Sequence, residues 1–377
     1  MTDEIEKTAL DTSVGADEGQ SIQETNTIIT DDDEEINSFD ESDEEFFKRT
    51  QPYYLDTISH KELLETVYLS KPPIIEGLLC RGMYIIAGSP KVGKSFLMAQ
   101  FAYHVSTGKP IWGYDVRQGT VLYLALEDDH KRLQSRLYRM FGTEGNDNLF
   151  FSVFALKLGH GLDEQLSGFM TEHPDTALVI IDTLQKVRDN DGSEYSYAGD
   201  YQLISRLKDF ADAHGICVMT VHHTRKQQAD DKFDMISGTN GLLGAADGGF
   251  VLHKEKRTDN EAILDVSGRD QQDQRLHLIR NEETLAWELE MVETQLWREP
   301  PEPVLEAVAS FLSSAGYKWR GSPTELQQAL GMDIKANTLT LKLNVNASRL
   351  LREYGISYRN IRKHDGRKII LEKNSSL

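Results

Sequence analysis

The chain holds 377 residues, 39% hydrophobic and 27% charged, with a formal net charge of −20 at pH 7. That length suggests two or three domains, and the balance is ordinary for a soluble globular protein. No apolar run reaches membrane-spanning length and the N-terminus lacks the basic-then-apolar pattern of a secretory signal, so no membrane partner and a cytoplasmic setting are expected. The acidity is uneven: residues 1–50 hold 17 Asp/Glu and 3 Lys/Arg, whereas residues 301–377 hold 7 and 12. A polyanion would be met at the C-terminal end or on local loops, not over the whole surface. Cys80 and Cys217 sit in apolar runs without metal-ligand spacing and read as buried thiols in a reducing compartment.

Taken in order, residues 1–50 read as a disordered acidic tail, because so polar a stretch cannot bury enough apolar surface to offset its ordering entropy. Phe39, Phe46 and Phe47 among the acids could form a short interaction motif; a plain solubilising tail is the simpler reading. An approach segment from Leu63 to Gly82 follows, with Pro72-Pro73 marking a turn. Met83 to Ala87 is then a short apolar run expected to be a buried strand. It leads into Gly88-Ser89-Pro90-Lys91-Val92-Gly93-Lys94-Ser95, which fits G-x-x-x-x-G-K-[ST] at every fixed position, and then into a helical pattern from Phe96 to Ala102. Strand, glycine loop and helix in that order make a phosphate-binding loop. Its backbone N–H groups and helix N-terminus favour a triphosphate, Lys94 would reach the β- and γ-phosphates, and the Ser95 hydroxyl would hold Mg²⁺. ATP and Mg²⁺ are the expected cofactors, with Gly88, Ser89, Pro90, Lys91, Val92, Gly93, Lys94 and Ser95 as the binding residues.

A second buried strand is expected over residues 119–126, closed by Glu127-Asp128-Asp129 and followed by a helix from His130 to Phe141. Residues 149–156 predict another strand and Asp163 to Met170 another helix. Ala177 to Thr183 is an apolar run ending in Asp182, the form of a Walker B strand buried on both faces. Its carboxylate would emerge at the C-terminal sheet edge, where ligands bind. Asp182 is the expected Mg²⁺ or water ligand, and Glu127, at the same edge, the group that polarises the attacking water. Either Asp128 or Asp129 could cap the helix that follows. A helix to Ala213 and a strand over Ile216 to Val221 lead to His222-His223. One histidine is expected to point into the structure and the other towards the γ-phosphate edge. From Phe250 to about Leu289 short strands alternate with turns. The order predicts an α/β fold with a mainly parallel sheet and an antiparallel extension.

The combination of the phosphate loop, Val121 to Asp128, Ile180 to Leu184 and Val221 to Lys226, with Ile236 to Gly241 and Val266 to Asp270, resembles the RepA-like branch of the RecA-type ATPases. Those are hexameric replicative helicases of plasmids and related proteins of phages and mobile elements. The resemblance covers about Leu63 to Leu289. It implies a RecA-like P-loop NTPase domain over residues 51–298, a homo-oligomeric, hexameric ring with ATP at subunit interfaces, and single-stranded DNA in a central channel. It implies Glu127 as the catalytic base, Lys94 and Ser95 on phosphate and Mg²⁺, Asp182 on Mg²⁺, and a histidine sensor at His222 or His223. Arg269 is the first candidate for an arginine finger given to the neighbouring site, with Lys254, Lys256 and Arg257 behind it; a structural ion pair is the alternative for Arg269. Lys186, Arg188, Arg225 and Lys226 fall on the loops expected to grip DNA, beside Asp189, Asp191, Glu194, Asp230, Asp231 and Asp234. A primase or another replication protein is the further partner implied.

Pro300-Pro301-Glu302-Pro303 reads as a linker within a second module over residues 299–377. Helices are expected over Val304 to Leu312, over Leu326 to Leu330 behind the capping box Ser322-Pro323-Thr324-Glu325, and over Ala347 to Tyr354. A hairpin follows around His364-Asp365-Gly366. Three helices and a two-stranded wing make a small α+β winged-helix domain. Its Arg349, Arg352, Arg359, Arg362, Lys363, Arg367 and Lys368 suggest a phosphate-binding face, with a protein-docking module bearing a solvated basic face as the alternative. The function expected is an ATP-dependent DNA helicase or helicase-like ATPase. The alternatives are a regulatory ATPase that recruits a replication or transposition partner, and a winged-helix origin-binding protein or repressor.

Overall fold

The computed structural model describes residues 51–188, 197–224, 232–236, 240–256, 258–294, 299–363 and 366–373. The acidic tail expected over residues 1–50 lies outside the described residues. The chain divides into two units, Met1–Ser59 and His60–Leu377. In the first, Tyr53, Leu55 and Ile58 are exposed. The second contains all the elements that follow.

After a short helix α1 (His60–Glu65), strands and helices alternate: β1 (Gly82–Gly88), α2 (Lys94–Thr107), β2 (Thr120–Ala125), α3 (His130–Phe141), β3 (Leu149–Ser152), α4 (Leu162–Glu172) and β4 (Thr176–Asp182). The chain continues through α5 (Leu184–Val187), α6 (Tyr197–His214), β5 (Cys217–His223), α7 (Asn240–Ala245), β6 (Gly248–His253), β7 (Glu261–Gly268), β8 (Gln271–Arg280) and β9 (Trp287–Val292). These nine strands form one sheet in the order β3-β2-β4-β5-β1-β6-β7-β8-β9. Pairings from β3 to β6 are parallel and those from β6 to β9 antiparallel. The expected α/β class with an antiparallel extension is what the chain forms.

The central strands are continuous apolar runs because both of their faces are covered. Alternate residues serve opposite cores. Tyr84, Ile86, Val121, Tyr123 and Ile180 belong to one cluster with Leu97, Phe101 and Leu133 from α2 and α3. Met83, Ile85, Leu122 and Val179 belong to the other, with Leu166, Ile204 and Leu242 from α4, α6 and α7. Cys217 is buried and Cys80 half-buried, and both are free thiols. The strand expected over residues 149–156 stops at Ser152. There the Ser152 hydroxyl donates to the Phe154 carbonyl and accepts from the Phe154 N–H, a local turn that competes with the ladder and leaves Phe154 exposed.

The C-terminal region forms α8 (Pro303–Ser314), β10 (Lys318–Gly321), α9 (Pro323–Leu330), α10 (Ala336–Val345), α11 (Ala347–Tyr354), β11 (Ile356–Lys363) and β12 (Gly366–Lys373). Its own core includes Val304, Val308, Leu312, Leu326, Leu339, Leu343, Leu350, Ile369 and Leu371. The capping box closes as expected, with Ser322 and Glu325 exchanging side-chain-to-backbone bonds, and Gly331 and Gly355 end their helices in left-handed conformation. The region has two elements more than expected, α10 and β10, and β10 makes the sheet three-stranded in the order β10-β12-β11. Its hairpin tip, His364-Asp365, lies outside the described residues. No helix among the described residues is long and apolar enough to cross a membrane.

Candidate active site

The phosphate loop joins the end of β1 to the start of α2, at the C-terminal edge of the parallel strands. Two of its glycines are required by space. A Cβ on Gly88 would fall on the Leu252 carbonyl oxygen, and one on Gly93, whose φ is +115°, would lie 2.7 Å from the Trp287 ring. Lys94 is only 6% exposed. Its ammonium donates to the Gly88 carbonyl at 2.7 Å and the Ser89 carbonyl at 3.1 Å, and lies 3.5 Å from His223 Nδ1. Burial lowers its pKa to about 8, against the opposing pull of Asp182 and Glu127.

Asp182 ends β4, 4% exposed, and accepts from the Tyr123 hydroxyl at 3.0 Å. Burial raises its carboxyl pKa, while side-chain hydrogen bonds from Ser95 and Tyr123 oppose that shift. The Ser95 hydroxyl thus acts on the Asp182 carboxylate, and Asp182 in turn on the Lys94 ammonium. Among the described residues no group of three or more His, Cys, Asp or Glu could hold a metal ion alone. A hydroxyl and one carboxylate nonetheless fit Mg²⁺, which keeps several waters and shares its shell with substrate phosphates.

Glu127 follows β2, whose last residue Ala125 is in register with Asp182. It accepts from the Thr183 hydroxyl at 3.3 Å. Its neighbours are committed elsewhere: Asp129 caps α3 by accepting from the Arg132 N–H, and Asp128 pairs with Arg136 at 2.7 Å. Of the three acids, Glu127 is the one placed against Thr183 at this edge. The two histidines separate as strand alternation requires. His223, in register with Gly88, faces Lys94, and burial together with the Lys94 charge lowers its pKa. His222 is buried and in register with Ala87, which packs with Val251 and Ile236.

Arg269 is not brought to this edge. It sits in the β7–β8 turn, where its N–H donates to the Asp247 carbonyl, its guanidinium donates to the Gly244 carbonyl at 3.2 Å, and one nitrogen lies 3.9 Å from the Asp247 carboxylate. Asp247 precedes β6 and accepts from the Met83 N–H at the opposite end of β1. Seven residues of strand, roughly 20 Å, separate that end from the phosphate loop. Lys254 and Lys256, just past β6, stand on the loop's side of the sheet. Arg188, expected on DNA, is paired with the buried Asp200, whereas Lys186 is exposed. Arg225, Lys226, Asp189, Asp191, Glu194, Asp230, Asp231 and Arg257 lie outside the described residues.

The site also holds residues that sequence reading missed. The Phe96 ring, directly after Ser95, has the Arg280 guanidinium at 4.2 Å and that of Arg136 at 4.9 Å. Trp287 donates from its ring nitrogen to the Gly93 carbonyl at 3.3 Å, and its backbone exchanges two hydrogen bonds with the Gln100 side chain. Lys254 lies 5.5 Å from the Trp287 ring centroid. No local motif announces these groups; the β8–β9 register, which sets Arg280 opposite Trp287, delivers them.

Residues 62–229 match the family model AAA_25, described as an AAA domain. That span holds the phosphate loop, Glu127, Asp182 and both histidines. No curated protein matches the chain in sequence. Among solved structures, one described as an ATPase domain is 17% identical, with a TM-score of 0.47, over 56% of this chain and 85% of its own. A DnaB-like replicative helicase, described with its interactions with primase, is 18% identical at a TM-score of 0.44, over 55% of this chain and 57% of its own. A KaiC-like protein from the hyperthermophilic archaeon Pyrococcus horikoshii is 13% identical at a TM-score of 0.42, over 60% of this chain and 99% of its own.

Proposed function

We propose that the chain is an ATP-hydrolysing, helicase-like motor that assembles as a hexameric ring and acts on single-stranded DNA in the replication of a plasmid, phage or other mobile element. The observation that carries this reading is the meeting of Lys94, Ser95, Asp182, Glu127 and His223, from four separate strand ends, at one sheet edge. Phosphoryl transfer asks for positioning and charge neutralisation more than covalent chemistry, and these groups supply both. Lys94 turns from the loop carbonyls to the β- and γ-phosphates. Ser95 and Asp182 would hold Mg²⁺, which would supply positive charge to neutralise the phosphates. Glu127 orients and deprotonates the attacking water, and His223, in contact with Lys94, reports the γ-phosphate. Phe96, Arg136 and Arg280, half-buried past the loop, extend the site and take the nucleoside end of ATP, with the buried Trp287 packed behind Gly93 as their support. Arg269, with Lys254 and Lys256 behind it, is the cation offered to a neighbouring subunit, which it would reach from the end of the sheet opposite its own phosphate loop.

The order of helices in the C-terminal region and its paired β11 and β12 strands support a winged-helix reading of residues 299–377. The expected partners are further copies of this chain, single-stranded DNA, and a primase or other replication protein. A regulatory ATPase is the second reading, favoured by the pairing of Arg188 with Asp200, which removes one expected DNA contact. ATP hydrolysis measured with and without single-stranded DNA separates the two. A motor shows strong stimulation, lost in Lys94→Ala, and unwinds a forked duplex; hydrolysis indifferent to DNA overturns the motor reading.

A further inference from the structure

Net basic charge belongs to one end of this chain: residues 1–300 hold 54 acidic and 29 basic residues, residues 301–377 hold 7 and 12. Several of those twelve are tied to acids or to the backbone. Arg349 lies 2.6 Å from Glu353 and 3.4 Å from Glu299, and donates to the Pro300 carbonyl. Arg367 pairs with Glu65 at 2.6 Å. Helix α10 follows α9 in the position from which the second helix of a helix-turn-helix reads a groove. It has little to offer phosphates, because the one cation within it, Lys342, pairs with Glu302 at 2.8 Å. Its C-terminal end is also tied down, with Asn344 donating to the Leu64 and Glu65 carbonyls at the end of α1.

The outward face of the β10-β12-β11 sheet is different. Side chains directly opposite one another across an antiparallel pair share a face. Trp319, Tyr358, Ile369 and Leu371 face the core. The intervening positions place Lys318 and Arg320 on β10, Lys368 and Ile370 on β12, and Arg359 and Ile361 on β11 on the other side. Arg320, Ile370 and Arg359 lie on one rung, so the two arginine-bearing strands are roughly 10 Å apart. Both arginines are exposed and both isoleucines half-buried. Among the described strand residues, Glu372 is the carboxylate on this face, 3.5 Å from Lys318 and 3.9 Å from Arg359. At the margin, hydrogen bonds with the Ser322 backbone and hydroxyl, and to a smaller extent the charge of Lys368, hold the pKa of the capping Glu325 below its usual value. Four cations therefore surround two isoleucines, with one acid among them and one at the edge.

We propose that this outward sheet face binds the sugar–phosphate backbone of nucleic acid without reading base sequence. Spaced cations match phosphates, the isoleucines offer apolar contact to sugars, and the one cation within α10, Lys342, is held by Glu302. The inference goes beyond the nucleotide site and does not depend on it. Four phosphate contacts give an affinity for single strands that falls with salt at a slope of about −3 in log–log form.

The test uses the full chain, a labelled oligothymidylate and two duplexes of unrelated sequence, with binding followed by anisotropy from low to physiological salt. The variant Arg320→Gln/Arg359→Gln should lose about 1.4 units of salt slope on the single strand and bind every probe more weakly. Arg320→Glu/Arg359→Glu should lose about tenfold or more on every probe. Thermal unfolding of both should match the parent. Arg352→Glu on α11 should leave binding unchanged, and basal ATP hydrolysis should be unchanged in all variants. Parental binding in the sheet variants, a loss confined to one duplex sequence, a larger loss in Arg352→Glu, or capture of polyglutamate in place of nucleic acid would each overturn the proposal.

Discussion

A buried ammonium at the phosphate loop has a measurable signature. With its pKa lowered to about 8, Lys94 is largely neutral above that pH in the nucleotide-free protein. Phosphate oxyanions favour the charged form, so nucleotide binding at a pH of about 8 to 9 should draw protons from solution, whereas binding near pH 6 should draw none through Lys94. Calorimetric titration in two buffers of different ionisation enthalpy reads the uptake directly; equal heats in both buffers on the alkaline side would refute it. Glu127→Gln keeps an acceptor for the Thr183 hydroxyl but removes the carboxylate proposed as the base, so on that reading hydrolysis should drop by about 10²- to 10⁴-fold with nucleotide affinity retained. Equal losses of binding and hydrolysis would make Glu127 a binding group instead. His223 could be told from His222 only through strand register, since nothing local to the pair marks which one faces Lys94.

Single elements differ in how far their own sequence declares them. The α10 sequence places Leu339, Leu341, Leu343 and Val345 at alternate positions, a strand-like period, and no helix is expected there. Yet the buried positions are Leu339, Thr340, Leu343 and Asn344, a helical stripe, because α8, α9 and α1 supply the surface it packs on. By contrast α9 is legible from its ends, where a capping box and a terminal glycine act locally. Ser322→Ala should therefore cost about 1 kcal/mol, read as a lowered denaturant midpoint with an unchanged slope. Strand β9 behaves in the opposite way: its first residue, Trp287, is fully buried and tied to α2 through Gly93 and Gln100. Trp287→Ala should cost about 3 to 5 kcal/mol and weaken nucleotide binding together with stability. Stability lost without any change in nucleotide affinity would detach β9 from the site.

At the scale of the molecule, residues 60–82 link the two ends of the large unit. Glu65 holds Arg367, the Ser70 N–H donates to the Ser348 hydroxyl, and Lys71 then donates to the His214 carbonyl at the end of α6. Arg81 continues the connection through the Pro72 and Gly215 carbonyls. An approach segment in sequence is thus a strap in space. Asn344, which holds the Leu64 and Glu65 carbonyls, also accepts from the buried Tyr358 hydroxyl at 2.8 Å. Asn344→Ala leaves that hydroxyl and two carbonyls short of partners. It should cost about 1 to 3 kcal/mol and speed tryptic cleavage after Lys61, with basal hydrolysis maintained. Cleavage at the parental rate would mean that the strap is held elsewhere.

The phosphate loop, the strand that ends in Asp182 and the placing of Glu127 were readable from the residues alone, because each rests on contiguous chemistry. A glycine turn, a helix N-terminus and an apolar run closed by an acid are all local. The α/β class followed from the same alternation of runs. Folding was needed for everything that depends on distant pairing. It sent Arg269 to the far sheet edge, committed Arg188 to Asp200, chose His223 over His222 beside Lys94, and brought Arg280 and Trp287 to the end of the phosphate loop. Register and layer packing choose such partners, and neither is written within any one segment of the chain.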